Sequence, residues 1–547
     1  MSQPWADWYA ARGVTDPSDL EYALERLPDP ATLTGVEAAV DRLAHAVRTG
    51  ERVVVVADYD CDGATACAVA LRGLTALGAA TPGFVVPDRA RHGYGLTPGL
   101  VLEAASQRPN LLLTVDNGIA AHDGVAAAVD RGWSVVVTDH HLPGRALPPA
   151  TAIVNPNQPG DRSGLGCLAG VGVVFLLLVA LRRRLFADQP NRAPRLVDLL
   201  PLVAVGTVGD VVPFDSVNRL LVDQGLRRLR VGQASAGLTA LAAVAGRRLQ
   251  TLSTADIGFG IAPRLNAAGR IDDMGVGIRC LLTDDAAEAR RLAEQLATIN
   301  GERRRIQADM QAAADADLLL RDIDDGVEAI CVHREDWHPG VVGVVAGRLK
   351  DAFERPVIAF APGAAGELRG SARSVPGVHV RDALARVDAW HPGLVTRFGG
   401  HAMAAGLTLP THALPLFERA FDEAVAQLRA PDVARGRLYT DGELAPEAHD
   451  LLLARQLALT PWGQGFPEPL HEGMFGIRGH RMVGERHLRL ELAAADGRIW
   501  PAIAFGQADL GTRLAAGAEI RIAYRIGIDD FRGDETLQLR VEAVADQ

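Results

Sequence analysis

The first half of the chain repeats one unit: a short run of aliphatic and β-branched residues, a polar or glycine-containing loop, then an alanine- and leucine-rich stretch with helical spacing. Such runs occupy Arg52 to Ala57, Gly83 to Val86, Leu111 to Val115, Ser134 to Thr138 and Thr151 to Val154. Each is nearly continuous in apolar residues, the pattern of parallel strands covered by helices on both faces. Strand alternating with helix predicts a doubly wound α/β sheet, in which ligands collect at the carboxyl ends of the strands.

The residues at those ends are of few types. ADYDCDGAT puts Asp58, Asp60 and Asp62 at alternate positions, TVDNGI ends the third run at Asp116, and TDHH ends the fourth at Asp139, His140 and His141. A later apolar run, VGTVGDVVP, carries Asp210 and is read as ending a strand in the same way. Any one of these acids could be an Asx turn or a helix cap. Together they crowd one crevice with carboxylates, which repel unless cations neutralise them. Carboxylates with an imidazole and no thiolate pair suit Mn²⁺ or Mg²⁺ better than Zn²⁺. Two ions sharing a bridging carboxylate would clamp both oxygens of a phosphoryl transfer. No Ser-His-Asp or Cys-His pattern competes as a nucleophile. Cys61, between two of the acids, is expected to turn away along an extended segment and serve as a packing residue.

A globular chain of 547 residues, 48% hydrophobic, divides into three or four domains. Its formal charge of −11 means that an anionic partner such as nucleic acid must be gripped by local basic clusters. Five cysteines without a Cys-x-x-Cys pair, and an N-terminus without a basic start and apolar stretch, point to the cytoplasm. The most apolar segment, Leu168 to Leu181, spans 14 residues, which predicts a buried helix and no membrane span. From Asp284 to about Leu320 a charged, alanine-rich stretch reads as a long bridging helix, with Arg303, Arg304 and Arg305 either facing a groove between domains or, the favoured reading, on a solvated face. A second α/β unit starts at Ile330. Its glycines lie beside polar groups, with Gly399 and Gly400 before His401 and with Ser371 and Arg373 in SARS, as an anion-binding wall requires. The last hundred or so residues alternate with period two in HLRLEL, RIWPAIAF, EIRIAYRIGI and TLQLRVEAV. They predict a small antiparallel barrel of OB type, with Arg486, Arg489, Arg498 and Arg525 as strand contacts.

ADYDCDG, TVDNG, TDHH and GTVGD, in this order, resemble the motifs of the DHH phosphoesterase superfamily. NAAGRID (266–272), WHPGVVGVVAGRL (337–349), RGSARS (369–374) and FGGHAMAAG (398–406) are similar to those of the RecJ single-strand exonucleases within it. The resemblance covers roughly residues 40 to 545. It implies a DHH domain with an N-terminal extension over 1–225, a helical connector over 226–323, a DHHA1-type substrate domain over 324–431 and an OB fold over 432–547. It implies two Mn²⁺ or Mg²⁺ ions held by Asp60, Asp62, Asp116, His140 and Asp210, with Asp116 bridging. Asp58, Asp139 and His141 are then further ligands or groups that orient His140 and the attacking water. Val56 stands where some relatives carry a histidine, and water or Asn266 is the implied substitute. Asn266, Arg270, Ser371, Arg373, Gly399, Gly400 and His401 are implied in holding substrate. The implied activity is 5′→3′ hydrolysis of single-stranded DNA to 5′-mononucleotides in repair and recombination, by a monomer working with a single-strand-binding protein and a helicase. The alternative is a DHH phosphoesterase acting on dinucleotides or short oligonucleotides.

Overall fold

The computed structural model describes all residues except 1–2, 90, 321–325, 365, 430–437, 516, 531–532 and 546–547. It comprises two compact units, Met1–Gly269 with Asp273–Leu296 and Tyr439–Gln547, and Arg270–Asp272 with Ala297–Leu438.

In the first unit β1 (Val53–Ala57), β2 (Gly83–Val85), β3 (Leu111–Val115), β4 (Ser134–Thr138) and β5 (Ala152–Val154) form a parallel sheet in the order β2-β1-β3-β4-β5. Successive side chains feed opposite cores, as period two demands. Val53, Val55 and Ala57 pack with residues of the helices Cys61–Ala76 and Gly170–Leu185, whereas Val54 and Val56 pack with Leu100, Leu112 and Val137. Each such aliphatic side chain contributes roughly 1.5–3 kcal/mol when fully buried. The chain leaves β1 on one side and returns as β3 on the other, so the crevice opens between the carboxyl ends of β1 and β3. Leu168 to Leu181 lies largely within the buried helix Gly170–Leu185, and no described helix is long and apolar enough to cross a membrane.

Asp210 corrects one expectation, because it ends a helix, Leu200–Asp210, and not a strand. A continuous apolar run does not distinguish a buried helix from a buried strand. Pro201 in the first turn and small residues at Ala204 and Gly206 favour a helix packed closely on Cys61–Ala76.

The second unit contains β6 (Ile330–His333), β7 (Val357–Pro362), β8 (Glu367–Arg373), β9 (Arg397–Gly400) and β10 (Ala404–Pro410), ordered β6-β7-β8-β10-β9. Only β6 and β7 run parallel. One face buries Ile358, Phe360 and Leu407. The other buries Ile330, Val332 and Ala359 against Met310, Ala314 and Leu318 of the 35-residue helix Ala286–Leu320.

The first unit also contains a closed barrel of β11 (His471–Val483), β12 (His487–Ala493), β13 (Ile499–Ala504), β14 (Glu519–Asp529) and β15 (Thr536–Val544). Its pairings are antiparallel except β13 with β15, which corrects the purely antiparallel reading. β11 escapes sequence reading because a bulge between Ile477 and Gly479 breaks its alternation. The barrel shares a core with the parallel sheet and is not an appended module. Trp5 and Tyr9 of the helix Gln3–Ala11 stack on Trp462, the Arg12 fork bonds both oxygens of Asp441 (2.8 and 2.9 Å), and Arg219 lies 4.3 Å from the Phe466 ring centre. Of the expected domain boundaries, 225/226 falls inside the helix Ser216–Arg230, while 323/324 and 431/432 lie outside the described residues.

Candidate metal centre

Three carboxylates enter the crevice from the end of β1. Asp58 follows the strand directly, and Asp60 caps the helix Cys61–Ala76 by accepting Gly63 N–H at 3.0 Å. Asp62, fully buried in the first turn, accepts Gly170 N–H (2.6 Å) and Val171 N–H (2.9 Å) at the start of the helix Gly170–Leu185. The positive end of that helix holds the carboxylate. The segment is helical from Cys61 and not extended, so helical rotation turns the thiol away. Cys61 Sγ lies 3.8 Å from Val205 O, and a methyl group on Gly209 would lie 2.6 Å from it. Packing is therefore its observed environment.

Asp116 adopts φ +60°, a left-handed conformation rare outside glycine. Asn117 Nδ2 pins the turn by donating to Val56 O and Val115 O, each at 2.9 Å. Gly170 makes the site possible, since a Cβ there would lie 2.6 Å from Asp116 Cβ. From β4, Asp139 Oδ1 accepts His140 N–H (2.8 Å), His141 N–H (3.1 Å) and the His141 Nδ1 contact (2.8 Å), while Oδ2 accepts Ile119 N–H (2.9 Å). Asp139 thus organises the turn that carries the two histidines. His140 Nε2 lies 3.2 Å from Asp116 Oδ1 and 3.4 Å from Asp210 Oδ2.

These residues form three groups whose candidate donor atoms lie within 4.8 Å of one another: Asp58, Asp60 and Asp116; Asp62, His140 and Asp210; and Asp116, His140 and His141. Burial and then Asp60 push Asp58 well above the usual carboxylate range; burial and then Asp210 do so for Asp62. Burial and then Asp62 raise Asp116, and Asp210 is pushed up to about 7 by burial and Asp60. Burial would lower His141, but the bond and charge of Asp139 outweigh it and raise the ring to about 9. Asp58 Oδ1, Asp116 Oδ1 and Asp210 Oδ2 are buried and make no hydrogen bond with the described residues. Orphaned, mutually repelling oxygens beside an imidazole are what a hard divalent cation satisfies, so the donor set fits Mn²⁺ or Mg²⁺.

Val56 is fully buried in the apolar core and supplies no donor. Asn266 Oδ1 accepts Cys61 N–H at 2.7 Å and fixes the start of the acidic helix. Tyr94, absent from the sequence reading, donates to Asp116 O (3.2 Å) and reaches His141 Nδ1 (3.3 Å). Its only signal was an aromatic residue between glycines in the loop after β2.

The remaining expected residues lie in the second unit. Arg373 Nη1 bonds Ser371 Oγ at 3.1 Å, and a Cβ on Gly343 would lie 2.8 Å from that hydroxyl and 2.9 Å from Arg373 Nη2. The pair therefore sits over the first turn of the helix Val342–Phe353, which no side chain caps. Arg270 Nη1 reaches Gly340 O at 3.3 Å, just before that helix. Gly399 and Gly400 end the edge strand β9, and His401 N–H bonds Ala404 O at 2.8 Å in the exposed turn. Register puts Gly399 across Gly406 from Ser371, so the glycines and the Ser371–Arg373 pair share one end of the sheet. Among the barrel arginines, Arg489 pairs with Asp529, Arg498 with Asp496 and Arg525 with Glu542, while the exposed Arg486 has no ion pair among the described residues. On the long helix the exposed Arg305 pairs with Glu302, whereas Arg303 is half-buried and donates to Asn300 Oδ1 (2.6 Å) and Gln307 Oε1 (2.7 Å).

The acidic crevice on a parallel sheet defines the class: residues 52–207 match the DHH family, N-terminal domain, 326–429 the DHHA1 domain and 440–543 the RecJ OB domain. The Single-stranded-DNA-specific exonuclease RecJ of Escherichia coli (strain K12) is 44% identical, over 98% of this chain and 94% of that protein. The crystal structure of Thermus thermophilus RecJ in complex with Mn²⁺ is similar at a TM-score of 0.81 and 32% identity, covering 100% of this chain and 76% of that one. Its Mg²⁺ complex is similar at 0.76 and 30%, covering 100% and 74%. The chain belongs to the RecJ family.

Proposed function

We propose that the chain is a metal-dependent exonuclease that degrades single-stranded DNA from the 5′ end to 5′-mononucleotides, in DNA repair and recombination. The observation that carries this reading is Asp116, whose carboxylate lies within 4.8 Å both of the Asp58–Asp60 group and of the His140–His141 group. Its carboxylate would serve one ion beside Asp58 and Asp60 and a second beside His140, the histidine that Asp62 and Asp210 also approach. Bound there, divalent ions supply a nucleophilic water near neutral pH and neutralise charge developing on the phosphoryl oxygens. The chain itself fixes geometry: Asp139 holds the histidine turn, Asn266 the start of the acidic helix, and Tyr94 the backbone of Asp116.

Arg270, Ser371 and Arg373, with Gly399, Gly400 and His401, are assigned to the strand's phosphates. The Ser371–Arg373 pair over an uncapped helix start supports this, because amides and a guanidinium both suit an anion. The expected division into DHH, connector, DHHA1-type and OB segments is kept as the working scheme. A single-strand-binding protein and a helicase would supply the strand, and five free cysteines fit a cytoplasmic setting.

The deciding experiment uses single-stranded DNA and RNA labelled at either end, with Mn²⁺ or Mg²⁺. Release of labelled mononucleotide from the 5′-labelled DNA before the 3′-labelled DNA is the expected result. Activity confined to dinucleotides and very short oligonucleotides would favour the small-substrate reading instead.

A further inference from the structure

Resting on the single-strand reading above, we propose that Phe259 is a stacking platform for a nucleobase of the bound strand, beside the acidic crevice. Phe259 is 84% exposed and Val211 is 62% exposed. Scattered exposed apolar residues are ordinary, but these two stand on unusual backbone. Phe259 lies within a π-helical turn, Ile257–Ile261, a wide turn that recurs at functional sites. Val211 directly follows Asp210 and adopts φ +63°, a conformation that β-branched residues scarcely tolerate.

The two segments lie together. A methyl group on Gly258 would sit 3.7 Å from Val208 Cγ1, and one on Gly209 would sit 3.4 Å from Ala262 Cβ. The helix that delivers Asp210 therefore runs alongside the turn that carries Phe259. Spacing ties Phe259 to the crevice a second way. The π turn continues into the helix Ala262–Ile271, where Asn266 holds Cys61 N–H at 2.7 Å. Seven residues separate Phe259 from Asn266, roughly 10 Å along the helix axis. A strand whose reacting phosphate lies at the acidic helix would bring a neighbouring base to that ring. An aromatic face accepts any base, as an enzyme without sequence preference needs.

The test compares wild type, Phe259→Ala and Phe259→Trp on a 20-nucleotide single strand, intact or with one abasic position moved along it. A p-nitrophenyl ester of thymidine 5′-monophosphate, too small to reach the ring, is the control. Phe259→Ala should raise KM for the intact strand about tenfold, the size of one lost stacking contact, with kcat and hydrolysis of the small ester unchanged. Phe259→Trp should restore KM. The salt dependence should keep its slope, since no phosphate contact is lost. One abasic position should raise KM in wild type and add nothing in Phe259→Ala. An unchanged KM in folded Phe259→Ala, or abasic effects equal in both proteins at every position, overturns the proposal. Wild-type cleavage of the intact strand separates the two readings: its absence removes the exonuclease assignment and the stacking with it, whereas its presence beside an unaffected variant removes the stacking alone.

Discussion

His140 Nε2 lies 3.2 Å from Asp116 Oδ1, although one residue ends β4 and the other occupies a left-handed turn after β3. Neighbouring parallel strands bring them together, and Asp116 thereby belongs to two of the three donor groups of the crevice, one with Asp58 and Asp60 and one with His140 and His141. Asp116→Ala should remove most of the activity, because no other described carboxylate spans the two groups. Retention of more than about a tenth of the wild-type rate by a folded variant would sink the bridged-ion reading.

Asp139 is the next test, since its two oxygens take three backbone N–H donors and the His141 ring. In Asp139→Asn one oxygen becomes an amide NH₂, which faces buried N–H donors it cannot satisfy. We expect a loss of about 1–3 kcal/mol in unfolding free energy and Mn²⁺ affinity weakened roughly 10–100-fold. Calorimetric titration with Mn²⁺ reads the second effect. Wild-type affinity in the variant would show that the turn needs no such anchor.

The sheet and most of the crevice are legible in the sequence because each acid follows an apolar run of strand length, and local pattern decides both. Asp210 misleads for the same reason, as its apolar run suits a helix equally well. Asn266 and Tyr94 act through contacts with residues far along the chain, 205 positions from Asn266 to Cys61 and 22 from Tyr94 to Asp116, which no local period encodes. The barrel's union with the catalytic sheet depends on Arg12, Trp462 and Phe466 meeting across the chain. Removing everything after Pro431 would strip partners from Trp5, Tyr9 and Arg219, so such a truncation tests stability before it tests strand guidance.

Arg373 separates binding from chemistry. With its guanidinium beside Ser371 Oγ at 3.1 Å, Arg373→Ala should weaken binding of a 5′-phosphorylated strand by about 1.5–3 kcal/mol, the worth of a charge-assisted contact. Hydrolysis of a small phosphodiester should persist. Equal losses for 5′-phosphate and 5′-hydroxyl strands would leave Arg373 as a general backbone contact and remove the terminal-phosphate role.

His471 gives the barrel a pH-dependent stability. The ring is 1% exposed, both its nitrogens are buried without a hydrogen bond to the described residues, and it packs on Trp8 and Tyr524. Burial lowers it to about 4; His449 and Arg12 add to that fall and Asp441 opposes it. Between about pH 6.5 and 4 the unfolded chain therefore binds a proton that the folded chain refuses, so stability falls as pH drops through this window and levels off below it. The loss from this group amounts to roughly 3 kcal/mol at about 1.4 kcal/mol per pH unit. Urea unfolding of wild type and His471→Phe from pH 7.5 to 4 isolates it, because the carboxylates of the crevice titrate alike in both proteins. The expected result is a wild-type curve that falls more steeply than that of His471→Phe below pH 6.5. Parallel curves across the whole range would mean that the imidazole is protonated in the folded barrel.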